Sequence, residues 1–134
     1  LEVGSQATPF EHRSFGEELA LCQRYYTVIA DGAENSSGTL APGITYNSTT
    51  VYGVVELPTP MRTNPTGEVT DVSNGMVFIR NNSNDAIDDV ALSVSNPQRI
   101  EFYNQTDISG GTAGHAGFFR FNNASSKVAV TAEL

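Results

Sequence analysis

From Tyr25 onward the chain is built of short runs of β-branched and aromatic residues that alternate in character with a period of two. Turn residues cut these runs roughly every eight to twelve positions, the spacing expected of an all-β sandwich. A strand sends successive side chains to opposite faces, so each run must bury one face and wet the other. The candidate strands are Tyr25 to Ala30, Thr39 to Tyr46, Thr50 to Leu57, Gly67 to Asp71, Gly75 to Arg80, Asp89 to Val94, Arg99 to Tyr103, Gly117 to Phe121 and Lys127 to Glu133. Pro42-Gly43 weakens the second of these. The alternation is cleanest in Val90, Leu92, Val94 and in Val128, Val130, Ala132. Asn74-Gly75 sits between two runs and favours a tight hairpin with positive φ at both positions. No crossover helices separate the strands, which argues against a parallel sheet. The expectation is an antiparallel β-sandwich, jelly-roll-like in its Greek-key connections. An immunoglobulin-type sandwich is disfavoured, because Trp is absent and Cys22 has no second cysteine to pair with.

Ahead of the strands the period changes. Ser14-Phe15-Gly16-Glu17 fits a capping box, in which the Ser14 hydroxyl accepts from the Glu17 amide and the Glu17 carboxylate accepts from the Ser14 amide. Phe15, Leu19, Cys22 and Tyr26 follow at spacings of four, three and four, one apolar stripe of a short helix. Three turns are too few to persist alone in water. The stripe therefore requires cover from the following domain, from a sister chain, or from both. The domain division expected is a linker or end of an upstream domain over 1–13, a helical segment over 14–26, and a β-sandwich over 27–134.

Charge narrows the function classes. Seven Lys and Arg against fifteen Asp and Glu give a net charge of −8, which repels phosphate backbones and anionic lipid surfaces. Nucleic-acid binding and membrane insertion are not expected. The 134 residues suffice for one domain with a real core. Leu1-Glu2-Val3-Gly4 carries neither a basic stretch nor an apolar run of signal-peptide type, and the expectation is a C-terminal piece of a longer polypeptide.

The run Ala7-Thr8-Pro9-Phe10-Glu11-His12-Arg13-Ser14-Phe15-Gly16-Glu17-Glu18-Leu19-Ala20-Leu21-Cys22-Gln23-Arg24-Tyr25-Tyr26 resembles a segment of tail-fibre and other structural proteins of tailed bacteriophages. In that family the segment joins an upstream carbohydrate-binding-module-like sandwich to a β-rich C-terminal module. Leu57-Pro58-Thr59-Pro60-Met61-Arg62-Thr63-Asn64-Pro65-Thr66 is similar to a second family stretch, and Ala132-Glu133-Leu134 to its usual ending. The resemblance implies a virion component, commonly a trimeric fibre or adhesion module, with other virion proteins as partners and no catalytic motif to carry over. Loops such as Asp31 to Gly38 and Ser109 to Gly117 match no pattern, and loops are where specificity sits.

Candidate binding residues follow from sugar chemistry. The apolar C–H face of a pyranose stacks on an aromatic ring while amides and carboxylates satisfy its hydroxyls. Tyr46, Tyr52 and Tyr103 are the aromatic candidates, with Asn47, Asn104 and Asp107 beside them in sequence and His115 on a glycine-rich loop. The competing reading makes each tyrosine a core or strand-pair residue and His115 part of a plain connection. Host-surface polysaccharide is the partner these residues suggest. Self-association, as a homotrimer, is expected through Phe15, Leu19, Cys22 and Tyr26, and through Phe118, which points opposite to Phe119 and Phe121. Asn84-Asp85 and Asp88-Asp89 are read as a solvated acidic turn in preference to a calcium site. Glu56 and Glu101 sit on candidate strands, but sequence alone does not make them the carboxylate pair of a glycosidase. No metal, no cofactor and no enzymatic activity are expected. Five Asn-x-Ser/Thr sequons, at Asn35, Asn47, Asn81, Asn104 and Asn123, are read as unmodified loop residues in so Asn-rich a chain.

Overall fold

The computed structural model describes residues 14–34, 37–70, 74–88 and 90–132. The linker expected over 1–13 with its His12, the sequon at Asn35, Asp89, and the ending at Glu133 and Leu134 lie outside the described residues. One helix, α1 (Phe15–Gln23), precedes ten strands: β1 (Tyr26–Asp31), β2 (Thr39–Thr45), β3 (Val51–Glu56), β4 (Thr66–Thr70), β5 (Met76–Arg80), β6 (Ser83–Ile87), β7 (Ala91–Asn96), β8 (Arg99–Asn104), β9 (Ala116–Phe121) and β10 (Lys127–Thr131). All pairings are antiparallel. One sheet runs β1-β10-β4 and the other β6-β5-β9-β2-β3-β8-β7, so the β-sandwich expected from the sequence is the architecture observed.

The two inner faces form the core. Phe78, Phe102, Phe119 and Phe121 are fully buried on the larger sheet, and Val128 and Val130 face them from the smaller. Burying one such side chain is worth about 1.5–3 kcal/mol. The Phe78 and Phe119 ring centroids stand 5.0 Å apart and those of Phe102 and Phe119 6.4 Å. The rings gain their room from glycines. Gly43 on the central strand β2 pairs with Gly117 on β9 and with Gly53 on β3, a side-chain-free row across three strands. A Cβ at Gly43 would stand 2.9 Å from a Phe119 ring carbon and 3.0 Å from one of Phe78. Pro42, unusual in a central strand, follows a bulge between Thr39 and Ala41, and the β3 pairing begins only at Gly43.

Three local expectations need correction. The helix ends at Gln23 rather than at 26, and Tyr26 opens β1. Its capping box is formed as expected, but no helix residue is buried, so the following domain does not cover the stripe. Asn84 and Asp85 belong to the strand β6, not to an acidic turn, because Asn81 (φ 32) and Asn82 (φ 62) turn the chain tightly and pair Ser83 with Arg80. Asn74 does have positive φ (55), yet Asn74-Gly75 is not a hairpin: it carries the chain from β4 in one sheet to β5 in the other.

Candidate functional site

The outer face of the larger sheet carries the aromatic candidates. Ile44 on β2 pairs with Tyr52 on β3, and Tyr52 with Tyr103 on β8, so the two tyrosines lie side by side. Their ring centroids are 5.9 Å apart at an interplanar angle of 31°. Tyr46, just past the end of β2, stands edge-on to Tyr52 at 5.7 Å and is 67% exposed. It is held there by a turn in which the Asn47 carboxamide oxygen accepts from the amides of Thr49 (2.8 Å) and Thr50 (2.9 Å), while the Tyr46 amide donates to the Thr50 carbonyl. Asn47 is thus spent on positioning the ring.

Two concavities border this row. A shallow apolar groove of about 310 Å³ runs along Pro42, Gly43, Ile44, Tyr52, Gly53 and Val54. A smaller and more polar cleft of about 140 Å³ is lined by Ala91, Tyr103, Asn104, Gln105 and Thr106. Tyr103 forms one wall of the cleft and one end of the aromatic row. The exposed Gln105 carboxamide on this lining offers two donors and an acceptor.

Asn104, Asp107 and His115 take other parts. The Asn104 side chain is buried; its oxygen accepts from the amides of Thr106 (3.2 Å) and Asp107 (3.0 Å) and its Nδ2 donates to Asp107 Oδ2 at 2.8 Å. Asp107 also accepts from the Asp88 amide at 2.9 Å. Both side chains shape the turn that presents Gln105 and Thr106. His115 is half-buried; it donates its amide to the Thr112 carbonyl, its carbonyl accepts from the Thr45 amide, and its Nδ1 is buried without a hydrogen-bond partner among the described residues. Gln105 and Thr106 were missed in the sequence reading. The signal was there in Asn104-Gln105-Thr106-Asp107, an Asx turn directly after a strand, which lifts its second and third residues toward solvent.

The self-association candidates all retain exposed apolar surface. Phe15 is 83% and Phe118 36% exposed, and Leu19, Cys22 and Tyr26 are exposed as well. Glu56 and Glu101 prove to share the outer face on neighbouring strands, since Val54 pairs with Glu101 and Glu56 with Arg99. Glu56 is held by Arg99 at 3.3 Å with 77% of its side chain exposed. Among the described residues no group of three or more His, Cys, Asp or Glu is placed to hold a metal ion, and no helix is long and apolar enough to cross a membrane.

The two stretches that carry the phage resemblance meet in space. The Arg62 amide donates to the Arg24 carbonyl (3.0 Å), Thr59 Oγ1 donates to Gln23 Oε1 (3.1 Å), and the Arg62 guanidinium lies 5.0 Å from the Tyr25 ring centroid. No protein-family model, no curated protein and no solved structure matches the chain.

Proposed function

We propose that this chain is a non-enzymatic adhesion module of a bacteriophage virion fibre, a homotrimer that binds host-surface polysaccharide through the outer face of its larger sheet. The observation that carries this reading is the exposed row of Tyr46, Tyr52 and Tyr103 ending in the Gln105 cleft. Contact between the two resemblance-bearing stretches supports treating them as one structural unit. An open subsite of this kind binds weakly alone, and three copies on one fibre raise the avidity without new contacts.

The competing reading is a purely structural virion component, a capsid decoration or a head-fibre or tail part that never touches the host. The exposed apolar stripe of α1 favours it, because that stripe suits docking onto another protein better than onto sugar. A saccharide array probed with the full chain and with Tyr103→Ala separates the two. Binding to a bacterial polysaccharide that falls about fivefold or more in Tyr103→Ala supports adhesion, the loss of one stacking partner being worth on the order of 1 kcal/mol. No saccharide binding, together with tight binding to other virion proteins, establishes the structural role. Release of reducing ends from the polysaccharide would show an enzyme instead.

A further inference from the structure

We infer that the saccharide taken at the Tyr103 end of the aromatic row carries a free, cationic amino group, and that Glu101 is the residue that selects for it. The inference rests on the saccharide binding proposed above and names the charge class of the sugar.

Strand register places an acid beside the ring. Glu101 and Tyr103 are two residues apart on β8, so both side chains leave the outer face, about 7 Å apart along the strand. On β7, Ala91 pairs with Tyr103 and Ser93 with Glu101; on β3, Tyr52 pairs with Tyr103 and Val54 with Glu101. Ala91 is small and leaves room beside the Tyr103 ring, where the polar cleft lies. Along the chain the order is Glu101, Tyr103, Gln105. A pyranose stacked on Tyr103 therefore has the Gln105 carboxamide on one side and the Glu101 carboxylate, with the Ser93 hydroxyl, on the other.

The charge at this end of the row is negative. Glu101 is half-buried and has no ion pair or side-chain hydrogen bond among the described residues. Arg99, two residues back on the same face, holds its guanidinium against Glu56 at 3.3 Å, so those two charges cancel and Glu101 keeps its own. Arg80 is enclosed with Asp85, and Arg120 stands on β9 four residues beyond Ala116, the partner of Ile44. Asp107, bonded to the Asp88 amide and to Asn104, adds carboxylate charge at the turn that forms the opposite rim of the cleft. A uronic acid or a sugar phosphate on Tyr103 would be repelled from both sides. An ammonium is attracted by Glu101 and by the negative faces of the tyrosine rings. A neutral sugar stacks equally well, but it covers the half-buried carboxylate with neutral donors, about half as strong as a charged one.

A saccharide array that carries glucosamine oligomers, their N-acetylated counterparts and oligogalacturonate beside bacterial polysaccharides, probed with the full chain, tests the assignment. The wild type is expected to bind free-amine sugars about fivefold or more tighter than their acetylated counterparts, the scale of a partly exposed charge pair, and oligogalacturonate weakest. Glu101→Gln should erase that preference, and Glu101→Lys should turn it toward oligogalacturonate. Circular dichroism verifies folding, and Glu101→Gln, which keeps the size and shape of the side chain, decides the matter even where Glu101→Lys does not fold. A preference for the amine that survives Glu101→Gln overturns the inference, as do ligands that depend on Tyr103 but carry no amino group; both results leave the proposed function standing. An array on which no saccharide is bound overturns both.

Discussion

Arg80 Nε lies 2.9 Å from Asp85 Oδ2, and the two side chains are only 6% and 8% exposed, so the β5-β6 hairpin encloses an ion pair. Arg80 also donates through Nη2 to the Ser109 carbonyl at 3.0 Å, which ties the long loop before β9 to the core. A buried pair is costly to form but far costlier to break, since the survivor is left charged in a poorly solvated place. Asp85→Asn is therefore expected to destabilise the fold by about 3–5 kcal/mol, whereas Arg80→Met combined with Asp85→Leu should cost much less. Chemical denaturation of the three proteins checks this. Equal losses in the single and double variants would show that packing, not charge, holds the hairpin. The double variant should also aggregate more readily, because the inward charge that guards the edge strand is gone.

That pair explains why β6 was illegible in the sequence. Ser83-Asn84-Asp85-Ala86-Ile87 shows no apolar alternation, since of its two inward residues only Ile87 is apolar and the other is Asp85, whose partner stands five positions earlier on another strand. The other nine strands were legible because their inner faces carry ordinary apolar residues, as Phe119 and Phe121 do on β9 and Val128 and Val130 on β10. Turn chemistry marked where the chain bends but not which strands pair: Asn74-Gly75 looks like a hairpin locally, yet sheet membership separates β4 from β5. At the candidate site the tyrosines could be found from strand alternation. The fate of Asn104 and Asp107 could not, because their polar groups are consumed by the turn they build.

The Asn81-Asn82 turn offers a direct check of backbone chemistry. Both residues have positive φ (32 and 62) and Arg80 pairs with Ser83, the geometry of a two-residue hairpin loop that favours Asn-Gly. Asn82→Gly is expected to leave stability unchanged or raise it slightly. Asn82→Val should lose about 1–2 kcal/mol, the cost of forcing a β-branched residue into the left-handed region. Thermal melts of the two variants give the comparison, and equal melting temperatures would contradict the turn assigned here.

The glycine row makes a sharper demand. At Gly43 an added Cβ would lie 2.7 Å from the Tyr52 carbonyl oxygen as well as close to the Phe78 and Phe119 rings. Both rings are fully buried and have nowhere to retreat. Gly43→Ala is expected to cost about 1–3 kcal/mol as overpacking, despite the better strand propensity of alanine. Gly16, with nothing within 4 Å of its Cβ position, is the control. Gly16→Ala should be neutral or stabilise α1, since alanine is the stronger helix former by about 1 kcal/mol. Equilibrium unfolding in urea would show the contrast, and a neutral Gly43→Ala would mean that β2 and the phenylalanine rings are not in contact.

Thr45 supplies the opposite case, a residue whose chemistry opposes the fold. It is fully buried at the end of β2, and its Oγ1 has no hydrogen-bond partner among the described residues. Its backbone is well used, the amide donating to His115 and the carbonyl accepting from Gly114. The hydroxyl is therefore desolvated without return, a cost of about 1–3 kcal/mol. Valine has nearly the same shape and suits a strand. Thr45→Val is expected to stabilise the protein by about 1 kcal/mol, raising the melting temperature by a few degrees. Thr45→Ser keeps the orphan hydroxyl and removes a methyl group that packs beside Gly111, so it should destabilise. If instead serine matches the wild type and valine lowers the melting temperature, the hydroxyl is bonded in solution, and the packing of the His115 loop on β2 would need to be redrawn around it.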